Sequence, residues 1–261
     1  MIAKLKTALT REWHLLVEEW TPKERPDATA IAKVMGLYLL VSVVLFANRY
    51  IYRDIWDLFA GDIDPGPEKN LLRKVWWAGF ISFCYAVPPY LYARKVLDLG
   101  LKDLGVTREG FIKHAWIYGL GLACVLPLVF IVAGDAEFLK SYPLYADAGR
   151  SWRHLLIWEA VYALQFITLE FFFRGFMLFG AVRVLGLGAI PAMVVPYMMI
   201  HFPKPELECF ASIIAGFALG AIALRTRAIF AGMLIHITVA WTMDAMALWH
   251  EGTWTKLLGG P

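Results

Sequence analysis

The stretch ALQFITLEFFFRGFMLFGAV, residues 163–182, decides the fold class of this chain. A helix of about 20 apolar residues crosses the hydrocarbon core of a bilayer, and the charged residues within this stretch are Glu170 and Arg174. An ionisable side chain at that depth costs about 2.5–3.5 kcal/mol on insertion scales, so it is kept where it has a function or a partner. The stretch therefore predicts a membrane-spanning helix with a functional carboxylate and guanidinium.

The composition of the whole chain agrees with that prediction. Hydrophobic residues make up 59% of its 261 residues and charged residues only 18%, and the charges gather in short segments between long apolar runs. This composition is typical of an integral membrane protein with several spans. The formal net charge of +3 comes without a basic stripe interleaved with aromatic residues, so no nucleic-acid partner is expected. The three cysteines lie far apart and predict neither a disulfide framework nor a metal cluster.

Seven segments are apolar and long enough, or nearly so, to be transmembrane helices. Their predicted bounds are 29–50, 75–97, 114–133, 154–182, 186–201, 208–224 and 228–248. The fifth and sixth are joined by HFPKPE, in which Pro203 and Pro205 must end a helix. The segments 51–74 and 98–113 hold turn-forming and charged residues and are expected to be exposed. We therefore expect an all-α fold, a polytopic transmembrane bundle of about seven to eight spans.

Residues 1–28 are expected to form an N-terminal amphipathic helix in front of a single membrane-embedded domain over residues 29–261. The apolar residues of this helix recur every three or four positions and are Ile2, Leu5, Leu9, Trp13, Leu16 and Trp20. Two interpretations are open, a helix lying on the membrane surface and a helix packed on the bundle. Lys and Arg are more frequent in the segments that a cytosolic N-terminus would place inside, so we expect that orientation, in a bacterial inner membrane.

Four sets of polar residues lie in or beside the last four predicted spans. These sets are Glu170 with Arg174, Tyr197 with His201, His236 with Asp244, and Lys204 with Glu206 and Glu208. Residues four apart share one face of a helix, so members of the first two sets can meet. Each set taken alone also fits a structural role, such as a buried ion pair, a hydrogen bond between helices, or a solvated turn.

Taken together, two His, a Glu and an Arg on three spans supply what a buried hydrolytic site needs. A Glu beside a His can polarise a water molecule, and a second His can donate to the oxyanion of a tetrahedral intermediate. Glu170, His201 and His236 are the candidates. The same three residues could instead hold zinc and leave a position open for water. No HExxH motif is present, so spacing leaves both mechanisms open.

Three short motifs in this region resemble those of one known family. LEFFFRG (169–175), YMMIH (197–201) and HITVA (236–240) follow the order and spacing of the motifs of the CAAX-protease and bacteriocin-processing family of intramembrane endopeptidases. The segment GFALGAIALRTRAIFAGMLIH, residues 216–236, is also similar to that family. The resemblance covers roughly residues 152–248 and implies a protease whose site is built within the membrane.

The resemblance implies roles for individual residues and partners. His201 looks like the water-activating histidine, His236 like the oxyanion-stabilising histidine, and Arg174 like the arginine that organises the site. We infer in addition that Glu170 is the general base. Residues expected to support the site are Arg174, Tyr197, Asp244 and Glu208. The family is described as acting without a metal, so no cofactor is expected, and the partners would be membrane lipid and a membrane-anchored or hydrophobic-tailed peptide, as for the myxosortase-like branch.

The motifs of this chain also depart from the family pattern. Leu169 stands where the family carries its usual general-base Glu, and Ala240 where it carries Asn or Asp after the last histidine. Tyr197 replaces a Phe. The alternative function is therefore a catalytically weak or inactive relative that binds a membrane peptide, as an immunity or scaffold protein. A transporter or proton relay is a third hypothesis, because buried ionisable residues also line such pathways, although the chain shows no internal repeat.

Overall fold

The computed structural model describes residues 2–60, 62–113 and 115–259, and this part of the chain forms helices and turns without a strand. The prediction of an all-α fold is confirmed. The α-helices are α1 (Ile2–Trp20), α2 (Ala28–Phe46), α3 (Tyr52–Ala60), α4 (Pro67–Lys95), α5 (Arg108–Lys113), α6 (Ala115–Val132), α7 (Ala136–Ser141), α8 (Trp152–Glu170), α9 (Gly180–Leu185), α10 (Ala189–Met199), α11 (Glu206–Thr226), α12 (Phe230–His250) and α13 (Thr253–Leu257). Two segments, Ala47–Ile51 and Phe171–Phe179, are π-helical.

The protein is an integral membrane protein. Within the described residues, five helical stretches are long and apolar enough to cross a membrane, namely Ala28–Ala60, Ala115–Val132, Trp152–Met199, Glu206–Thr226 and Phe230–His250. The predicted spans 154–182 and 186–201 both lie within the third stretch. Most of the predicted span 75–97 lies in α4, which is not among the five. The apolar part of α4 is rich in Trp, Tyr and Pro, which lower its hydropathy.

Two segments that the sequence predicts as exposed loops contain helices and some buried residues. Residues 52–60 form α3, and α4 begins at Pro67, a position that favours proline because the first turn of a helix needs no N–H donor. In the segment 98–113, Leu99 and Leu104 are buried. Most described residues of the two segments are exposed or half-buried, as predicted. The helices within them were not predicted, because the turn-forming residues mark the ends of helices.

The chain divides into two compact units. Unit 1 comprises Met1–Val41, Pro89–Ile112 and Phe171–Phe230, and unit 2 comprises Ser42–Pro88, Lys113–Glu170 and Ala231–Pro261.

The π-helical segment Phe171–Phe179 lies in the core of unit 1, and all nine of its residues are buried. The sequence FFFRGFMLF is apolar almost all round, as a helix that is enclosed on every side requires. Neighbouring residues can pack closely against this part of the chain because it contains glycines. A Cβ added at Gly180 would lie 2.7 Å from Leu37 Cδ1, and one at Gly175 would lie 3.2 Å from the Leu104 carbonyl oxygen.

Helices α10 and α11 are joined by the corner that the two prolines predict. Helix α10 ends at Met199, and α11 begins directly after Pro205. Two glycines of α11 then let the helices approach closely, since a Cβ at Gly216 would lie 3.2 Å from Tyr197 Cδ1 and one at Gly220 would lie 3.2 Å from Met193 Cε. Small residues at a four-residue spacing commonly bring membrane helices together in this way.

Helix α1 packs on unit 1 at the end of α11. Glu12 binds Arg225 at 2.7 Å, and Glu19 binds Arg227 at 2.5 Å. Leu16 of the predicted apolar stripe is buried, whereas Trp13 is 50% exposed. The side chains of Ile2, Leu5 and Leu9 lie outside those that the structure describes. The contacts support the interpretation that this helix is packed on the protein.

In unit 2, α8 and α12 face each other through two stripes of residues spaced four apart, a spacing that keeps side chains on one face of a helix. The α8 stripe is His154, Trp158, Tyr162, Phe166 and Glu170, and the α12 stripe is Gly232, His236, Ala240, Asp244 and Leu248.

The contacts between the two stripes show that the helices run in opposite directions. Glu170 contacts His236, and Phe166 stacks on the same histidine ring. Two turns further along, Trp158 Nε1 donates to Asp244 Oδ2 at 2.7 Å. Each step of four residues back along α8 is therefore matched by a step of four residues forward along α12.

The first turn of α8 is anchored by contacts with Glu68, at the start of α4. Arg153 Nη1 donates to Glu68 Oε1 at 2.8 Å, and His154 Nε2 lies 3.1 Å from the same oxygen. These hydrogen bonds hold the pKa of the exposed Glu68 carboxyl below its usual value, with the larger effect from Arg153 and the smaller from His154. The contacts tie α8 to the start of α4 and so fix where the α8 stripe begins.

The hydrogen bond from Trp158 to the fully buried Asp244 makes a prediction about stability. We expect Trp158→Phe to lower the free energy of unfolding by about 1–3 kcal/mol, because a buried acceptor loses its donor. Thermal unfolding of the purified protein in detergent, followed by intrinsic fluorescence, measures this loss. Trp241→Phe is the matched control, since Trp241 is 45% exposed and its indole donates to a backbone carbonyl. Equal losses in the two variants would contradict the prediction.

Candidate active site

A buried carboxylate and a histidine of unit 2 form what we call the Glu170–His236 pair. Glu170 is the last residue of α8 and is 0% exposed. Its Oε1 lies 2.9 Å from His236 Nδ1. The carboxylate also lies against the backbone of α12, because a Cβ added at Gly232 would collide with Glu170 Oε2. Glycine at this position is therefore what allows the carboxylate to reach the histidine.

The neighbours of His236 determine which ring nitrogen carries the proton. Besides Glu170 Oε1, Nδ1 lies 3.0 Å from the backbone oxygen of Gly232. A carbonyl oxygen can only accept, so Nδ1 must be the donor. In the neutral ring the lone pair is then on Nε2, which can take a proton from water. A carboxylate at Nδ1 stabilises the imidazolium that this transfer would form.

Three other predicted site residues meet in unit 1, and we call them, with Phe173, the Arg174 cluster. Arg174 is fully buried, and its Cζ lies 4.2 Å from the centroid of the Tyr197 ring. Phe173 contacts the same ring edge-on, with centroids 5.2 Å apart. The guanidinium is thus held over an aromatic face, which attracts a cation most strongly where water is excluded.

His201 belongs to this cluster, although it lies just after α10 rather than within a helix. Its ring meets the Tyr197 ring with centroids 4.8 Å apart, and its Nδ1 lies 2.8 Å from the Tyr197 carbonyl oxygen. The carbonyl again requires Nδ1 to donate, so the lone pair of a neutral His201 is on Nε2. Both site histidines therefore have the same tautomer for the same reason, a backbone carbonyl four residues earlier.

The remaining predicted site residues have other neighbours. Asp244 lies two turns along α12 from His236, which is about 12 Å of helix, and it accepts from Trp158 Nε1 and from the backbone N–H of Leu144. Glu208 lies 3.9 Å from Lys204 at the corner before α11. Asp244 therefore joins α12 to α8 and to the loop after α7, while Glu208 pairs within its own turn.

Two of the departures from the family motifs, Leu169 and Ala240, are buried. Leu169 is buried next to Glu170 in the chain, where neighbouring helix positions point about 100° apart. Ala240 is buried in one hydrophobic cluster with Tyr162, and four-residue steps place these two residues opposite each other in the stripes. A small residue at position 240 accommodates the aromatic ring that α8 presents there.

Two residues that contact the Glu170–His236 pair were not predicted from the sequence. They are Gly232, four residues before His236, and Phe166, four residues before Glu170. Phe166 stacks on the His236 ring with centroids 5.5 Å apart and planes at 10°. The four-residue spacing from each polar site residue was a usable signal, but apolar residues are so common in spans that it did not stand out.

The zinc alternative requires three donors arranged around one point. Among the residues that the structure describes, no group of three or more His, Cys, Asp and Glu side chains is arranged to hold a metal ion. The expectation of a metal-free mechanism stays a prediction, and a chelator tests it.

Comparison with known proteins identifies the region of the chain that holds Glu170, His236 and the Arg174 cluster. Residues 151–242 match the family model described as type II CAAX prenyl endopeptidase Rce1-like. The motif region of this chain is Rce1-like. The resemblance to CAAX proteases that the three motifs indicate is therefore confirmed over these residues. No curated protein and no solved structure matches the chain significantly.

The Rce1-like match supports an intramembrane protease activity of the CAAX type and a peptide substrate at the membrane. The matched residues include both members of the Glu170–His236 pair, together with Arg174 and His201. Apart from Asp244, the polar residues that the sequence picks out in the last spans thus lie in the matched region.

Gly232 offers a direct test of the geometry around Glu170. We expect Gly232→Ala to displace the carboxylate and to lower the cleavage rate of any substrate by about 10²-fold, the effect of misplacing a catalytic group by about 1 Å. Gly119→Ala in α6 is the control, because a Cβ there meets nothing within 4 Å. Alanine is better than glycine in a helix by about 1 kcal/mol, so the control should be at least as stable as wild type. Full activity of Gly232→Ala would rule out the described contact.

Tyr197 offers a test of the Arg174 cluster by stability. We expect Tyr197→Phe to lose less stability than Tyr197→Leu, because the ring face under the guanidinium is kept. Tyr197→Leu should lose about 2 kcal/mol or more beyond the cost of its cavity. That cavity cost is measured separately with Phe176→Leu, a buried ring of the same unit that contacts Tyr92 and Phe172. If Tyr197→Leu costs no more than Phe176→Leu, Arg174 does not depend on the ring.

Proposed function

We propose that this Rce1-like chain is an endopeptidase that hydrolyses a peptide bond of a membrane-associated protein, with water activated by the Glu170–His236 pair. The observation that carries the proposal is the 2.9 Å contact between Glu170 Oε1 and His236 Nδ1, between a fully buried carboxylate and a histidine within a membrane-spanning segment. Such a pair is costly at that depth and is kept where it serves chemistry.

In the proposed reaction, His236 Nε2 takes a proton from water while the water oxygen attacks the scissile carbonyl carbon. Glu170 accepts the Nδ1–H hydrogen bond throughout and stabilises the imidazolium that forms. The tetrahedral intermediate then collapses, the carbon–nitrogen bond breaks, and Nε2–H returns the proton to the leaving amine. The products are a carboxylic acid and an amine, and the pair ends in its starting state.

This assignment differs from the one that the family resemblance implies. The resemblance implies that His201 activates the water and that His236 stabilises the oxyanion. The role of Glu170 as general base is our own inference. We propose instead that Glu170 acts through His236, because Glu170 contacts that histidine. His201 and Arg174 remain proposed site residues, and substitution of either one is expected to lower activity.

The proposed substrate is a membrane-anchored or hydrophobic-tailed peptide, and lipid is the other partner. A bond near the membrane surface in such a peptide can reach a site within the spans, whereas a soluble protein would have poor access. This substrate class would fit a myxosortase-like branch in a bacterial inner membrane, with the N-terminus in the cytosol.

A second candidate is a relative without catalytic activity that binds a membrane peptide, as an immunity or scaffold protein. The observation that favours it is the burial of two apolar residues, Leu169 and Ala240, at positions where the family motif carries polar groups.

Purified protein in lipid nanodiscs, incubated with a library of hydrophobic-tailed peptides and analysed by mass spectrometry, separates the two candidates. We expect wild type to cleave, and Glu170→Gln and His236→Ala each to lose roughly 10²-fold or more of the rate, the usual contribution of acid–base catalysis. Glu68→Gln removes an exposed carboxylate of the same unit and should keep the wild-type rate. Full activity of Glu170→Gln would refute the proposed pair.

The same assay tests whether the chain is a relative without catalytic activity. If wild type does not cleave but the double variant Leu169→Glu with Ala240→Asn does, the chain is a relative whose catalytic groups have been lost. A chelator is added to a parallel sample, and the metal-free mechanism predicts an unchanged rate. Loss of activity with the chelator, and its return with zinc, would favour the zinc alternative.

A further inference from the structure

The hydrogen-bond acceptors at Nδ1 of the His236 ring do not by themselves fix the direction in which Nε2 points. Glu170 Oε1 and the Gly232 carbonyl oxygen both lie at Nδ1. Hydrogen bonds at a single atom still allow the ring to tilt about that atom, and a tilt would move Nε2 on the far side of the ring. A catalytic group must be held within about 0.5 Å and 10–20° of its working geometry. A contact with the face of the imidazole holds the plane of the ring.

Phe166 makes that contact. Its ring and the His236 ring are nearly parallel, with planes at 10° and centroids 5.5 Å apart, which is an offset stack. Phe166 lies one turn before Glu170 on α8, so one helix face supplies both the carboxylate at the edge of the imidazole and the aromatic ring on its face.

Phe166 is itself held in place by the aromatic residues of the α8 stripe. The Tyr162 ring lies 4.8 Å from the Phe166 ring, and the Trp158 ring lies 4.7 Å from the Tyr162 ring, measured between centroids. Trp158 in turn is fixed by its hydrogen bond to Asp244 on α12. A continuous column of rings therefore connects the buried hydrogen bond at one end to the His236 ring at the other.

We infer that Phe166 is a positioning residue that sets the plane of the His236 ring and thereby aims Nε2 at the water. This inference rests on the proposed function for its catalytic consequence. The stack itself is a property of the structure and can be measured without any substrate. Phe166 touches neither substrate nor water in this account and acts only through His236.

The test compares Phe166→Leu, Phe166→Tyr and Phe138→Leu with wild type in nanodiscs. Phe138→Leu is the matched control, because Phe138 is a buried aromatic residue of unit 2 on α7 whose ring partner is Tyr142. We expect Phe166→Leu to lower kcat by about 10- to 100-fold with little change in KM. Phe166→Tyr, which keeps the ring, should restore kcat, and Phe138→Leu should leave it unchanged.

An NMR measurement on histidine-labelled protein provides a readout that does not need activity. The ring current of Phe166 should shift the ring-carbon protons of His236 upfield in wild type and in Phe166→Tyr, and the shift should vanish in Phe166→Leu alone. If the shift vanishes but kcat is unchanged in an active enzyme, the positioning role is wrong while the proposed function stands. If wild type and Glu170→Gln both fail to cleave, the proposed function fails and the positioning role fails with it. If Phe166→Leu keeps the shift, the stack is absent.

Discussion

A carboxylate that is fully buried in a membrane-spanning helix has to be met by a donor, and in this protein the donor is His236. The contact between Glu170 and His236 decides several other features of unit 2. It requires a residue without a side chain at Gly232, since any Cβ there would occupy the position of the carboxylate. Together with the Gly232 carbonyl oxygen, it requires Nδ1 to be the donor and so leaves the basic lone pair of the neutral ring on Nε2. One hydrogen bond thus links backbone packing to acid–base chemistry.

The four-residue register between α8 and α12 is what delivers the two groups to each other. Membrane helices gain little from the hydrophobic effect when they associate, so their interfaces depend on close packing and buried hydrogen bonds. Here a glycine and an alanine of α12 receive large groups of α8, and the bond between Trp158 and Asp244 fixes the register at the other end. A shift of one residue in either helix would move every member of both stripes away from its partner.

Much of this arrangement could be predicted from the sequence, and the rest depended on contacts between helices. Hydropathy predicted the membrane class, the two prolines predicted the corner before α11, and the costly charges singled out Glu170, Arg174, His201 and His236. The π-helical segment after Glu170 was not foreseen, because a run of buried aromatic residues has no signature that distinguishes a π-helix from an α-helix. A supporting role of Asp244 in the catalytic site stays a prediction, and in the structure this residue accepts hydrogen bonds from Trp158 and from the backbone N–H of Leu144. Only the helix register shows that pairing, and a single sequence does not contain the register.

The protonation state of the His236 ring tests the central claim most directly. Nitrogen-15 NMR of the protein labelled at histidine, with the His236 signals assigned by comparison with His236→Ala, distinguishes the two neutral tautomers. The account predicts a neutral ring protonated at Nδ1 in wild type, and a changed Nδ1 resonance in Glu170→Gln, because the charged acceptor of the Nδ1–H hydrogen bond is gone. A wild-type ring protonated mainly at Nε2, or an Nδ1 resonance that is the same in both proteins, would contradict it.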